Sequence, residues 1–379
     1  MFDLIVCGGG IAGSALARAM AEKGARVLLL ERTLEFKDRV RGEGVHPWGV
    51  AEAEELGVRD LLAANCAREI PKWTRSFRPF PPAVRDLAAT SLHGCGEMVF
   101  HHPDMQGCLL EAAMSAGAEV RRGIAVTAVK PGSPPSVEVA LDGSTGTIPA
   151  RFVVGADGRT SGARRSAGFR ARRDPRRVSI AGVLLAGLGA PEESVQTYVV
   201  PGAGVGAFIF PIGDGRFRAY LCFHVDTGLK NLSGEKDLGA FLEACRSTGM
   251  PAEWFESAES IGPLATFDAA ECWVDRPYAA GVALVGDAAA TSDPTYGCGL
   301  ALALRDVRVL RDALLADEDW DSAGRAYAEE HDRYFGALHR MEEWMRVLLY
   351  EVGPEADARR ERAFPLLQTD PTRWPDLIG

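Results

Sequence analysis

Residues 3–32 read DLIVCGGGIAGSALARAMAEKGARVLLLER. An apolar run, a glycine turn, a stretch with apolar spacing near 3.6 and a second apolar run make a βαβ unit of about 30 residues. Gly8, Gly10 and Gly13 form G-x-G-x-x-G. In that pattern one glycine permits the tight turn, another lets the backbone approach a pyrophosphate, and the third lets helix and strand pack closely. Glu31 ends the second strand 18 residues past Gly13, where a carboxylate can accept hydrogen bonds from a ribose. A nucleotide site follows, without a choice between NAD and FAD.

The 379 residues, 47% of them hydrophobic, can bury a large core in two domains or one interleaved α/β unit. A net charge of −10 argues against nucleic acid or an anionic membrane surface as partner. Eight cysteines, at 7, 66, 95, 108, 222, 245, 272 and 298, show no C-x-x-C pair and no disulfide framework, which fits a reducing cytoplasm. The strand-like start FDLIVCGGG lacks the pattern of a signal peptide. The longest apolar candidate, AAGVALVGDAAA (279–290), is too short for a membrane span and contains an acid.

Proline-rich EIPKWTRSFRPFPPAVRD (69–86) separates the first unit from a βα alternation over 94–170, which resumes over 281–316. Between them, VSIAGVLLAG (178–187), VQTYVVPGAGVGAFIFPIG (195–213) and RFRAYLCFHV (216–225) predict three or four antiparallel strands joined by Gly, Pro and Asp turns. A second domain is therefore expected within the first: 1–70, 97–175 and 270–350 for the nucleotide domain, 71–96 and 176–269 for the inserted one. Helices are expected from 297 onward, and a wrapping or loosely held tail over 351–379 with prolines at 354, 365, 371 and 375.

Two later motifs narrow the cofactor. GADGRTSGARR (155–165) carries Asp157 and Gly158 after a strand, and GVALVGDAAATSDPTYGCGLALALRD (281–306) carries Gly286 and Asp287, then Pro294, Gly297 and Gly299 at the start of a helix. With G-x-G-x-x-G before them, these make the chain resemble the class A flavoprotein monooxygenases, the para-hydroxybenzoate hydroxylase-like family, over nearly its whole length. The resemblance implies a Rossmann-like FAD domain with an interleaved antiparallel substrate sheet. It assigns Gly8, Gly10, Gly13 and Glu31 to the ADP half of FAD, Asp157 and Gly158 to FAD and passing NAD(P)H, and Gly286 and Asp287 to the ribityl chain, with Arg32 and Val126 as further cofactor-binding residues. Backbone amides at 297–300, with the helix dipole behind them, suit the negative pyrimidine edge of reduced flavin.

The same resemblance makes Arg41, with Arg39 second, the arginine reaching back to the cofactor from RVRGEGVHPWGVAEAEELGV (39–58). It places His102 of HHPDMQGCLLEAA (101–113) where an arginine is usual, and half-charging near pH 6.5 then replaces a permanent cation. Cys298 stands where relatives often carry glutamine and is read as a bystander. His93, Cys95, His101 and His102 fit no common zinc spacing, strand alternation would set His101 and His102 on opposite faces, and no metal is expected. No G-x-S-x-G elbow supports a hydrolase.

In VQTYVVPG, Gln196, Tyr198 and Val200 share a strand face, and Tyr198 is expected against the substrate, with Phe208, Phe210, Tyr220, Cys222 and His46 as further lining. The implied reaction is NAD(P)H- and O₂-dependent hydroxylation or epoxidation of an apolar, aromatic small molecule through a flavin hydroperoxide, with Tyr198 or His46 moving a proton and Pro294 over the flavin. Alternatives are a geranylgeranyl reductase-like or halogenase-like flavoenzyme, suggested by RGEGVHPWG (41–49), and a non-catalytic flavin-binding or sensory protein. RARRDPRR (170–177) reads as an interdomain connector in preference to an NAD(P)H-steering patch. The amphipathic FGALHRMEEWMRVLLYEV (335–352) is expected to pack on the FAD domain, in a monomer or homodimer.

Overall fold

The computed structural model describes residues 1–141 and 144–379. Along the chain, β1 (Phe2–Cys7), α1 (Ile11–Glu22) and β2 (Val27–Glu31) lead to α2 (Pro47–Glu55), then to the pair β3 (Lys72–Phe77) and β4 (Ala83–Asp86). After these come α3 (His102–Ser115), β5 (Glu119–Arg122), β6 (Ser144–Gly155) and α4 (Gly162–Ser166). Four long strands follow: β7 (Val178–Ala186), β8 (Ser194–Val200), β9 (Val205–Gly213) and β10 (Arg216–His224). The chain then closes with β11 (Val282–Leu284), α5 (Gly299–Ala316), α6 (Trp320–Leu349) and α7 (Pro354–Thr369).

The first sheet has parallel order β5-β2-β1-β6-β11 at its centre. β1 and β2 are buried almost throughout because α1, α3 and α5 cover one face and a β-hairpin covers part of the other, which is why they read as unbroken apolar runs rather than alternations. The C-terminal ends of β1, β6 and β11 therefore meet where a parallel sheet binds ligands.

The second sheet runs β7-β10-β9-β8-β3-β4 and is antiparallel except for the β8–β3 pair. One face packs on α6, α7 and the C-terminal residues, the other on the helix Leu238–Ser247. Having both faces covered makes its strands apolar on both sides. α6 spans the junction: Ala323 and Tyr327 join the core of the first sheet, Leu338, Met345, Leu348 and Leu349 that of the second. Its C-terminal half packs both beside the second sheet and, through Glu342 at the Asp293 N–H and Phe335 and His339 at Trp273, on residues expected in the FAD domain. The tail of the chain is likewise ordered, as α7 and an extended strap.

Candidate flavin and substrate site

The β1–α1 turn is built by exclusion of side chains. Gly8 has φ +111°, and a Cβ on Gly13 would lie 2.0 Å from the Gly8 carbonyl oxygen. Helix and strand thus approach as closely as backbone permits. Glu31 fixes the lip of the turn, accepting from the Gly9 N–H at 2.7 Å and from the Thr33 N–H at 2.8 Å. Arg32 and Val126 line the same cavity.

Asp157 caps α4, accepting from the Gly162 N–H (2.7 Å), the Ala163 N–H (3.0 Å) and the Ser161 hydroxyl. Gly158 beside it has φ +81°. The turn at Gly286–Asp287 hangs on a residue the motifs did not reveal: buried Asp306 of α5 accepts from the Gly286 N–H at 2.7 Å and from the Tyr334 hydroxyl. Burial raises the Asp306 carboxyl to about 6, against the pull of His331 and these donors. Arg164, also buried, donates to the Ala288 carbonyl at 3.2 Å and holds the other side of the turn. Asp287 is left facing the cavity with Arg41 3.6 Å away, and both line it.

Gly297 has φ +71°, and a Cβ there would come 3.0 Å from His46 Nε2. His46 is 1% exposed, with Nδ1 2.8 Å from Glu97 Oε2 and Nε2 2.7 Å from the Tyr296 carbonyl. Both ring nitrogens face acceptors, which is satisfied only when both carry hydrogen. Burial disfavours that charge, but Glu97 and the Tyr296 carbonyl outweigh it and raise the pKa. The protonated form is thereby favoured, and His46 props the turn with both ring nitrogens already committed.

Three expectations change. Tyr198 lies on the opposite face of β8, against Trp254 at 6.2 Å between ring centroids; Thr197 and Val199 line the cavity instead. Alternation groups Gln196, Tyr198 and Val200 correctly but cannot say which of two apolar faces fronts the cavity. Cys222 shares the cavity-side core without lining the cavity, whereas Phe208, Phe210 and Tyr220 do line it. His101 and His102 stand at the start of α3, not on a strand; His102 Nδ1 is 2.8 Å from the Gly42 carbonyl, and burial with Arg41 and Arg218 nearby drives its pKa down, so it is neutral rather than half-charged.

Cys298 is fully buried beneath the tail, its Sγ 3.7 Å from the Leu377 carbonyl and its pKa raised by burial, and it does not line the cavity. Three of the four residues weighed as a metal cluster have other partners: His101 pairs with Asp104, His102 with Gly42, and Cys95 points to the Pro47 carbonyl. Most of RARRDPRR is spent on neighbours, Arg172 on Asp275, Arg173 on Asp268 and Arg177 on Glu351, as a connector requires.

Sequence reasoning also missed a pinned loop. Arg218 of β10, 0% exposed, donates to Glu43 at 2.6 Å and Asp38 at 2.7 Å, fastening the loop that carries Arg39 and Arg41 to the second sheet. Glu43 was visible in RGEGV, but its partner lies 175 residues away.

All these elements surround one cavity of about 980 Å³, running from Gly8 and Glu31 past Pro294 and Gly297 to Trp73, Phe210 and Tyr220. That is the upper end of ordinary ligand pockets, room for an extended dinucleotide and a smaller molecule beyond it. Bare glycine turns at the phosphate end and at Gly297, with a carboxylate at each ribose-like position, fit FAD.

Residues 1–340 match a family model described as an FAD binding domain. The chain is 30% identical over 370 residues to rifampicin monooxygenase of Streptomyces venezuelae, covering 95% of this chain and 74% of that protein. It is 28% identical over 314 residues to digeranylgeranylglycerophospholipid reductase 1 of Methanococcoides burtonii, covering 80% of this chain and 72% of the relative. Among solved structures, p-nitrophenol 4-monooxygenase PnpA of Pseudomonas putida superposes with TM-score 0.79 at 17% identity, over 98% of this chain and 94% of that one, a likeness of fold. Cradle, cavity and kinship agree: the chain belongs to the class A FAD-dependent monooxygenases.

Proposed function

We propose that this flavoprotein monooxygenase hydroxylates or epoxidises an apolar aromatic compound held at the Trp73–Phe210–Tyr220 end of its cavity, taking electrons from NAD(P)H and oxygen from O₂. The observation that carries the reading is the continuity of one cavity from the nucleotide cradle to an aromatic chamber, with the Pro294–Gly297 turn between. Gly8, Gly10, Gly13, Glu31, Arg32 and Val126 would hold the ADP half of FAD, Asp157, Gly158, Gly286, Asp287 and Arg41 the middle, and the amides at Gly297 and Gly299 the pyrimidine edge. Bound FAD supplies electron storage and oxygen activation.

The side chains supply placement and dryness. His46 keeps its Nε2 proton on the Tyr296 carbonyl and so steadies the turn without leaving it free to act as a base. Trp73, Phe208, Phe210 and Tyr220 exclude water from the chamber. No helix among the described residues is long and apolar enough to cross a membrane. Eight thiols with no disulfide among the described residues support a cytoplasmic setting.

The deciding experiment follows NADH and NADPH oxidation together with oxygen uptake by the FAD-loaded protein over phenols, indoles, quinolones and terpenoids. A monooxygenase shows substrate-accelerated oxidation with matching oxygen consumption. Turnover without oxygen uptake would mark a reductase, and FAD that stays oxidised with every compound a sensory protein. A halogenase of this architecture uses a lysine, and among the described residues Lys37 is the one lysine on the cavity wall.

A further inference from the structure

The outer wall of the substrate chamber is made by the last residues of the sequence, far from every flavin motif. After α7 the chain extends across the mouth, and residues 374–378 all line the cavity opposite β3. Trp374 packs edge-on against Phe80 at 5.5 Å and beside Phe77 at 6.4 Å, while Leu377 is 8% exposed in the core shared with Trp73 and Phe210. Apolar contact alone would let such a short segment fray.

Directional bonds fix it. Arg85 of β4 meets Asp376 with both arms of its guanidinium, at 2.9 Å and 3.0 Å, and donates to the Gly379 oxygen at 2.9 Å. Arg85 pairs directly with Trp73 across β3 and β4, so the latch stands on the cavity-lining face. On the far side, Trp48 Nε1 donates to the Leu377 carbonyl at 3.0 Å. A two-armed arginine–carboxylate contact is geometrically specific. The Arg85 and Asp376 side chains are 25% and 49% exposed, so the latch is open to solvent and to salt.

We propose that residues 374–379 are the specificity-determining wall of the substrate chamber, held shut by Arg85 on Asp376. Trp374 and Leu377 limit the chamber to compact planar aromatic molecules, and exchange with solvent occurs when the latch opens. What fills the chamber rests on the flavoenzyme reading above; the latch itself does not.

Two measurements test it on the full chain as Arg85→Gln, Asp376→Asn, the double variant and Trp374→Ala, each compared at matched melting temperature and FAD content. Trypsin cuts after Arg373, and release of the peptide that begins at Trp374, followed by mass spectrometry, should quicken about fivefold in either single latch variant and no further in the double, the scale of an ion pair partly open to solvent. Added sodium chloride should speed release from the parent protein and leave the latch variants unchanged. Release at the parental rate in all three latch variants overturns the latch. In the FAD-loaded protein, Trp374→Ala should let three-ring aromatics perturb the flavin spectrum where the parent responds only to smaller ones. An unchanged size limit in Trp374→Ala overturns the wall. A protein that takes up no FAD would refute the flavoenzyme reading, while peptide release would still decide the latch.

Discussion

At the scale of single residues, the chemistry turns on which buried groups carry charge. His46 and Glu97 are 1% and 0% exposed, and each is tolerable only beside the other. Glu97→Ala should therefore cost about 3–5 kcal/mol in urea unfolding, the penalty of an imidazolium left without its partner. The raised pKa of His46 has a definite sign: its contribution is full below pH 6.5 and is lost as pH rises through the folded-state value, so His46→Gln should flatten part of the alkaline decline in stability. Cys298 behaves oppositely to a nucleophile. Burial keeps its thiol protonated and out of reach, and mass mapping after brief treatment of the native protein with iodoacetamide should find the half-buried Cys272 modified ahead of Cys66 and Cys108, whose thiols burial also raises, and Cys298 intact.

At the scale of elements, β8 decides what the substrate meets. Thr197, bonded through its hydroxyl to Trp73 Nε1 at 2.8 Å, and Val199 face the chamber, while Tyr198 packs into the layer behind. Tyr198→Phe should change kcat/KM by less than about twofold, because the hydroxyl does not face the reaction. Val199→Phe should raise KM about tenfold or more by filling the chamber. Steady-state oxygen uptake distinguishes the two, and a large loss in Tyr198→Phe would restore the tyrosine to the mechanism. The GD turn shows the same dependence on a distant element, since its geometry hangs on Asp306 in α5 and Tyr334 in α6.

For the whole molecule, the junction of the two sheets holds a group of acids behind the Pro294 turn. Glu342 of α6 is 0% exposed and accepts from the Asp293 N–H at 3.2 Å, and its charge acts on Glu271, itself 3% exposed. His339 bridges Glu271 at 3.4 Å and Asp174 at 2.9 Å. Burial first pushes both carboxyls upward, with the charge of Glu342 next for Glu271 and that of Asp293 next for Glu342, so the pair keeps a proton through neutral pH. Groups that hold protons only when folded make stability fall as pH rises above the unfolded value near 4.5. Glu342→Gln should accordingly raise the melting temperature at pH 9 by several degrees and change it little at pH 5. Equal shifts at both values would mean that the carboxyls are ionised in the native state.

The sequence by itself determined the cofactor cradle. G-x-G-x-x-G, Glu31, Asp157–Gly158 and Gly286–Asp287 are local devices of glycine backbone and an acid near a strand end, so spacing marks the first two and the resemblance to a family the others. The antiparallel run over 178–225 was equally legible from alternation and turns. Tertiary structure decided the rest: which face of β8 meets the chamber, that His46 finds Glu97 and the Tyr296 carbonyl, that Arg218 pins the Arg41 loop, and that the tail walls the substrate end. These depend on partners 51 to 329 residues apart, brought together by packing of the two sheets, and no local pattern encodes a partner at that distance.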